Sequence, residues 1–404
     1  MSKTNEHKQS YKNTLLGWLP EEWKLAKLGD VGRIRMCKRI FNHETSENGE
    51  IPFFKIGTFG KEPDAYISKE LYEKYRSKYS FPKKGQILIS AAGTLGKTVI
   101  YDGSPAYFQD SNIVWLDTDE TQLTNEYLYY VYEIIKYDSE GGTIQRLYND
   151  IINNAKFPQP PLHEQRRITT ILSTWDEAIN KTRQIIAQLQ QRNKGLVQEL
   201  LTSKKRLKGF EDEWKKLQIH EIAKEVVVRN KIGKDLTVLS CTKYDGLVPS
   251  LEYFGRRVFG SDTSTYKVVP QHHFAYATNH IEEGSIGYQD RFEEALISPM
   301  YTVFKTNEKV YDDYLYKLLK SHQYIHEYCK RMEGSIDRRG GLRWDEFSKI
   351  IVHLPELEEQ KAIASLLTKA NEEVKLYEQK LAALQQQKKG LMQKLLTGEV
   401  RVKI

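Results

Sequence analysis

Three cysteines in 404 residues, Cys37, Cys241 and Cys329, are too few and too scattered for a disulfide framework. No CxxC or Cys/His cluster offers zinc a ligand set, and unpaired thiols suit a reducing cytosol. No apolar run approaches the roughly 18 residues that a membrane span needs, so no membrane partner is expected. The opening MSKTNEHKQSYKN has no apolar segment of a signal peptide, and the expected location is cytoplasmic. There is no G-x-S-x-G elbow, no G-x-G-x-x-G loop and no H-E-x-x-H. His272, His273 and His280 lack ligand spacing, so no metal is expected. Neither charge dominates: 61 Lys+Arg against 54 Asp+Glu leaves +7, with a pI near 8.9. Mixed charges and 39% hydrophobic residues exclude a disordered polyelectrolyte and supply more than one core. The small basic excess fits a nucleic-acid partner.

What the sequence does have is a duplication. Glu164–Thr202 and Glu359–Thr397 align without a gap at 17 of 39 positions, an offset of 195. Each stretch follows a proline, Pro161 or Pro355, and ends in KGL-x-Q-x-LLT. Trp23 pairs with Trp214, and Gly93-Thr-Leu-Gly96 with Gly284-Ser-Ile-Gly287, both at an offset of 191. Gly142–Arg146 echoes Gly334–Arg338 at 192. Repeats in the same order at such long spacing describe two copies of one plan rather than a solenoid.

The repeated segments are helices by their periodicity. Ile168, Leu172, Trp175, Ile179, Ile186, Leu189, Leu196 and Leu200 fall on alternating four- and three-residue steps. Ile363, Leu367, Val374, Leu381, Leu384, Leu391 and Leu395 do the same. This is an a/d seam, and about 39 residues at ~1.5 Å each give a helix of about 58 Å. Asn193 and Lys388 occupy equivalent seam positions, where polar residues set register. Chain order makes the pair antiparallel, because the first helix ends where the second globular region begins. Short β-like runs (Gln86–Ser90, Thr98–Tyr101, Ile113–Leu116, Thr302–Lys305) and helical stretches (Asn125–Lys136, Tyr311–Glu327) make each globular region α+β. The expected architecture is therefore α+β: two pseudo-symmetric globular domains, 1–161 and 205–354, joined by a long antiparallel coiled-coil helix pair, 162–204 and 355–404.

A catalytic reading finds little support. Ala91-Ala-Gly93-Thr-Leu-Gly96-Lys97-Thr98 approaches a phosphate-binding loop, but Ala91 stands where its first glycine belongs and β-branched residues follow instead of a helix start. It reads as a tight turn between strands, able to aim Lys97 at a phosphate. Glu293-Glu294 and Glu358-Glu359 read as solvated faces or as charges complementing a helix N-terminus.

Basic and amide residues mixed with aromatics give candidate DNA contacts, since Arg, Lys, Asn and Gln hold phosphates and read base edges. In the first region these are Lys55, Arg76, Lys78, Thr94, Lys97, Gln109, Asn112, Gln145 and Arg146. In the second they are Lys243, Tyr244, Arg256, Arg257, Gln289, Arg291, Arg338, Arg339 and Arg343, the last three forming the densest cluster. Taken singly, any of them is also an ordinary surface group. Lys204-Lys205-Arg206 and Lys208 either track the DNA backbone or complement the end of the first helix.

The pattern resembles the specificity subunit of type I restriction–modification systems. The resemblance rests on Pro161-Leu-His-Glu-Gln165, Pro355-Glu-Leu-Glu-Glu-Gln360, the two KGL-x-Q-x-LLT endings, the Gly85–Gly96 segment and the duplicated layout of the whole chain. The second domain departs from the first, with His273–Asn279 in place of Gly85–Ala91. The resemblance implies a non-catalytic subunit in which each globular domain is a target recognition domain for one half of an asymmetric bipartite site in double-stranded DNA. It implies that the helices act as a ruler and dock two modification (methyltransferase) subunits, and that two restriction (translocase–nuclease) subunits join them. It also implies that S-adenosylmethionine, ATP and magnesium sit on those partners, with no cofactor on this chain.

A stand-alone two-headed DNA-binding regulator, a P-loop NTPase with a coiled-coil arm and a coiled-coil adaptor remain as alternatives. Read as a turn, Ala91–Thr98 leads to an expected outcome: the purified chain hydrolyses no ATP. Hydrolysis that Lys97→Ala abolishes would establish the P-loop instead.

Overall fold

The computed structural model describes residues 10–137, 146–333 and 341–402. Contacts divide the chain into two compact units, and the division passes through both long helices. One unit holds residues 1–183 and 380–404, the other 184–379. Each unit thus combines one globular region with part of each helix.

The long helices run over Leu162–Leu200 and Leu357–Leu396. Of the seam residues, Ile168, Leu172, Ile179, Ile186, Leu200, Ile363, Leu367 and Leu395 are buried. Trp175, Leu189, Leu196, Val374, Leu381, Leu384 and Leu391 are half-buried, so none of the seam faces open solvent. In the first unit Ile168 and Leu172, near the start of one helix, share a core with Met392, Leu395 and Leu396 at the end of the other. In the second unit Leu200 and Leu201 share a core with Ile363, Ala364 and Leu367. Start packs against end in both, so the pairing within each unit is antiparallel.

Polar seam residues find partners. Asn193 Nδ2 donates to the Ala370 carbonyl at 2.8 Å and to Asn371 Oδ1 at 3.3 Å. At the corresponding place in the other copy Lys388 Nζ reaches Asp176 Oδ1 at 2.6 Å and lies 5.2 Å from the centre of the Tyr130 ring. Both members of the second pair are offset by 195 from those of the first. One locus thus carries an amide pair in one copy and an ion pair in the other.

Each helix start is closed by a buried carboxylate. Glu164 is fully buried and accepts from Arg401 Nε at 2.8 Å, Arg401 Nη2 at 2.5 Å and Trp23 Nε1 at 3.2 Å. Glu359, also fully buried, accepts from Arg206 Nε and Nη2, each at 2.7 Å, and from Trp214 Nε1 at 3.2 Å. The arginine comes from just beyond the end of the antiparallel helix, and the tryptophan immediately precedes a strand of the globular region, Lys24–Lys27 or Lys215–Gln218. This decides between the alternatives the sequence left open: Glu359 stands in the first turn of its helix but is buried rather than solvated, and Arg206 is bound to that carboxylate instead of tracking DNA. Its guanidinium is committed to Glu359 and stacks 5.8 Å from the centre of the Trp214 ring.

The glutamines next in sequence join helix to domain. Gln165 Oε1 accepts from the Thr124 amide, and Nε2 donates to the carbonyls of Gln122 and Pro160. Gln360 repeats this with the Tyr311 amide and the carbonyls of Lys309 and Pro355. The helix ends match as well: Gly398 has φ +69° and Ser203, one repeat earlier, +56°. Glycine suits the first position, where a Cβ would lie 2.5 Å from Pro20 Cδ.

The globular regions share a four-stranded antiparallel sheet. In the first, the spatial order is Gly32–Arg35, Ile113–Thr118, Ile87–Ser90, Thr98–Ile100. In the second it is Ala223–Glu225, Tyr301–Thr306, His273–Ala277, Ile286–Gln289, the same order in space and along the chain. A two-stranded ribbon ties the beginning of each region to its end, Lys24–Lys27 with Lys156–Gln159 and Lys215–Gln218 with Ile351–Leu354. Alternation along the strands splits the core into two layers. Ile87, Ile89, Val114 and Leu116 join the core that reaches the helices, whereas Leu88, Ile113 and Trp115 face an outer core. In the second copy the helix side is Phe274, Tyr276 and Phe304, and the outer side shrinks to Ala275 and Val303. The outer layers differ: the first adds Tyr66–Ile67, Ile51–Phe54 and Tyr107–Phe108 as a three-stranded sheet, and the second two separate ribbons.

Tyr311–Glu327, expected as one helix, is two. Asp312–Leu319 stops and His322–Glu333 restarts, with the Ser321 carbonyl accepting from the Tyr324 and Ile325 amides.

The clasp sets an expected outcome for stability. Arg206→Ala strands a buried carboxylate and should cost about 3 kcal/mol in urea unfolding, the low end for breaking a buried pair because about a quarter of the Arg206 side chain is exposed. Lys205→Ala, one residue away and 65% exposed, should change stability by no more than about 0.5 kcal/mol. Equal effects from the two would show that the buried pair has no special weight.

Candidate nucleic-acid interface

In the first unit four of the sequence-predicted residues converge. Lys55, Gln109, Asn112 and Arg146 line an open polar cavity of about 400 Å³, together with Arg39, Phe41 and Asp110. The cavity lies on the outer side of the sheet, where Phe53 of its wall belongs to the outer core. Its floor is the turn Gln109–Asn112, held from several directions. Gln109 Oε1 accepts from the Ile56 amide at 2.9 Å, and Arg146 Nη2 donates to the Ser111 carbonyl at 2.8 Å. Ser111 itself adopts φ +61°, an uncommon backbone state for a residue with a side chain. Lys55 Nζ pairs with Asp64 at 2.9 Å. Beneath the site, burial pushes the Cys37 thiol up to about 12, so it is a packing group and not a nucleophile.

The remaining candidates of this unit lie elsewhere. Arg76 stacks 5.8 Å and 5.6 Å from the ring centres of Tyr72 and Phe81, and exposed Lys78 ends the same helix, Lys69–Lys78. The segment that approached a P-loop is a hairpin turn between Ile87–Ser90 and Thr98–Ile100, with Gly93 and Gly96 at positive φ. Thr94 is exposed there. Lys97 Nζ donates to the Phe59 carbonyl and lies over the Phe59 ring, so it fastens the turn to the domain instead of pointing at an anion. Gln145 lies outside the described residues.

The second unit presents a different surface. Tyr244 is 80% exposed, with Lys243 Nζ 5.4 Å from its ring centre. Leu251, Tyr253, Phe254 and Val258 follow, all exposed, with exposed Arg256 and Arg257 among them. Arg257 lies 4.8 Å from the Phe259 ring centre. Interleaved cations and exposed rings suit phosphates and bases. Arg291 and Arg343 are exposed but lie on other segments. Gln289 is corrected: it is 2% exposed, its Oε1 accepts from the Arg291 and Phe292 amides, and its Nε2 donates to the Phe292 carbonyl. It builds a turn and cannot reach DNA. Arg338 and Arg339 lie outside the described residues. Among those described, His280, Glu282 and Glu283 form one group spaced for a cation, at the short 3-10 helix Ile281–Glu283, with His280 and Glu283 exposed and Glu282 half-buried.

Sequence reasoning missed Arg39, Phe41 and Asp110. The signal was present as Lys38-Arg39-Ile-Phe41-Asn42, a basic, aromatic and amide run two residues after the strand Gly32–Arg35.

The family model described as "Type I restriction modification DNA specificity domain" matches residues 20–191, most of the first globular region and its helix, and residues 257–386, the later part of the second globular region and most of its helix. A putative type I restriction enzyme specificity subunit of Haemophilus influenzae is 58% identical over 171 residues, which is 42% of this chain and 44% of that protein. The putative MjaX specificity subunit of Methanocaldococcus jannaschii is 24% identical over 98% of this chain and 97% of its own length. Among solved structures, a type I restriction-modification S subunit from M. genitalium has a TM-score of 0.53 at 15% identity, over 93% of this chain and 96% of that one. A structure described as showing complex assembly and conformational transition of the type I R-M system has a TM-score of 0.59 at 15% identity, over 95% and 99%. At such identity these structures establish the fold, while the family model covers well over half the sequence: the chain belongs to the type I restriction modification DNA specificity family.

Proposed function

We propose that the chain is the non-catalytic specificity subunit of a type I restriction–modification enzyme. Each globular region reads one half of a bipartite, asymmetric site in double-stranded DNA. The observation that carries this reading is one four-stranded sheet built twice with different outer layers. A repeated frame fits a repeated task, and different surfaces fit different half-sites. The cavity of the first unit and the aromatic–basic segment of the second are the reading surfaces, with Arg76, Lys78, Arg291 and Arg343 as phosphate contacts.

The long helices set the spacer and dock two modification subunits, which two restriction subunits join. S-adenosylmethionine, ATP and magnesium belong to those partners, and the methyltransferase subunits extrude the target adenine. Among the described residues no helix is long and apolar enough to cross a membrane, and a cytoplasmic location fits a DNA substrate.

Mapping methylated adenines in host DNA, with this chain co-expressed with its methyltransferase partner, is expected to show a split asymmetric motif that disappears when this gene is deleted. A stable complex with an active methyltransferase and no gene-dependent methylation would overturn the reading. Inserting seven residues in register into both helices is expected to lengthen the spacer by about three base pairs, because seven residues rise about 10.5 Å and base pairs about 3.4 Å. Both half-sites should stay as they were; altered half-sites would refute the ruler.

A further inference from the structure

Arg39 lies four residues past the strand Gly32–Arg35 and lines the first unit's cavity. Its Nε donates to Asp110 Oδ2 at 2.9 Å. The two partners are unequal: the arginine side chain is 60% exposed and the aspartate only 14%. Asp110 is fixed in turn, accepting from Ser111 Oγ at 3.2 Å within the turn that Arg146 pins through the Ser111 carbonyl. Tyr107 Oη donates to the Lys38 carbonyl at 3.0 Å and holds the backbone next to Arg39. Among the described residues Nη1 and Nη2 make no hydrogen bond. A guanidinium anchored through Nε presents its two terminal nitrogens as a planar fork, and that fork matches the O6 and N7 acceptors of guanine in the major groove. An ordinary surface pair differs, since both partners there are exposed, as in Lys361 with Glu358.

We infer that Arg39, buttressed by Asp110, reads a guanine in the half-site recognised by the first unit. This assignment rests on the function proposed above and names a specificity-determining residue for it. A phosphate contact would be the competing role for the same side chain. The two differ in outcome: a phosphate contact weakens all sequences alike, whereas a base contact relaxes one position.

The test uses the complete methyltransferase complex and adenine-methylation mapping. Arg39→Ala is expected to make one fixed G·C pair of a single half-site degenerate, with about a 10–100-fold loss of preference there and every other position unchanged. Arg39→Lys keeps the charge and loses the fork, so it should relax the same position while methylation elsewhere persists. Asp110→Asn should relax that position in part. With the position known, 7-deazaguanine placed there removes N7; it should weaken binding by the native complex about tenfold and add nothing to Arg39→Ala. An unchanged motif in Arg39→Ala, a uniform loss at all sites, or a half-site without a G·C pair would overturn the assignment and leave the proposed function standing. A native complex that directs no methylation would overturn both.

Discussion

Everything in this chain hangs on two buried carboxylates. Taking a glutamate out of water is costly by several kcal/mol, and a bidentate arginine with an indole N–H offsets that only when all three groups meet in one geometry. Glu164 meets Arg401 and Trp23, and Glu359 meets Arg206 and Trp214. The partners come from three separated parts of the sequence: the start of one helix, the tail past the end of the other, and the residue just before the strand Lys24–Lys27 or Lys215–Gln218. A helix slipped by one turn would leave a fully buried charge unpaired. Leucine at the same place would pack at any of several registers, so the ion pair contributes specificity of alignment more than net stability. Gln165 and Gln360 extend the constraint by fixing each domain to the first turn of its helix.

The helices were legible because their pattern is local: apolar steps of four and three, a leading proline and a shared KGL-x-Q-x-LLT ending. The clasps were not, because burial is a property of the assembled fold. Arg206 sits in a lysine-rich run that looks solvated, and Glu359 stands where an acid complements a helix dipole. Gln289 misled in the opposite direction, since an amide at a strand end looks available until its neighbours use both of its groups. In the second domain the outer face of the sheet is Ala275 and Val303 where the first has Leu88 and Trp115. Strand matching by residue type fails there although the topology is identical. The candidate site was half legible: Lys55, Gln109, Asn112 and Arg146 converge, but the turn that makes Asp110 a fixed acceptor is invisible without the fold.

What the two copies keep and what they vary separates framework from reader. Sheet order, closing ribbon, clasp and glutamine tie recur in both. The polar seam locus varies within a tolerated chemistry, Asn193 with Asn371 in one copy and Lys388 with Asp176 in the other. The outer layer varies freely, from a polar cavity beside a three-stranded sheet to exposed rings among arginines. The frame must hold two surfaces in place, and so its interactions are buried and geometrically exacting. The surfaces must differ if their targets differ, and they are built from segments whose change leaves the helix-facing core untouched.

Attraction and discrimination also fall to different groups. A net charge of +7 favours a sequence-independent attraction for a polyanion such as DNA, with a strength that salt reduces. Mobile surface lysines serve that purpose, because a phosphate accepts a cation from many directions. A base edge does not: its two acceptors lie in one plane at fixed separation, and a flexible side chain must be ordered before it can match them. Holding an exposed arginine by its Nε against a nearly buried carboxylate orders it beforehand, at the expense of part of its attraction for phosphate. That exchange makes sense only where the sequence of the DNA matters more than its charge.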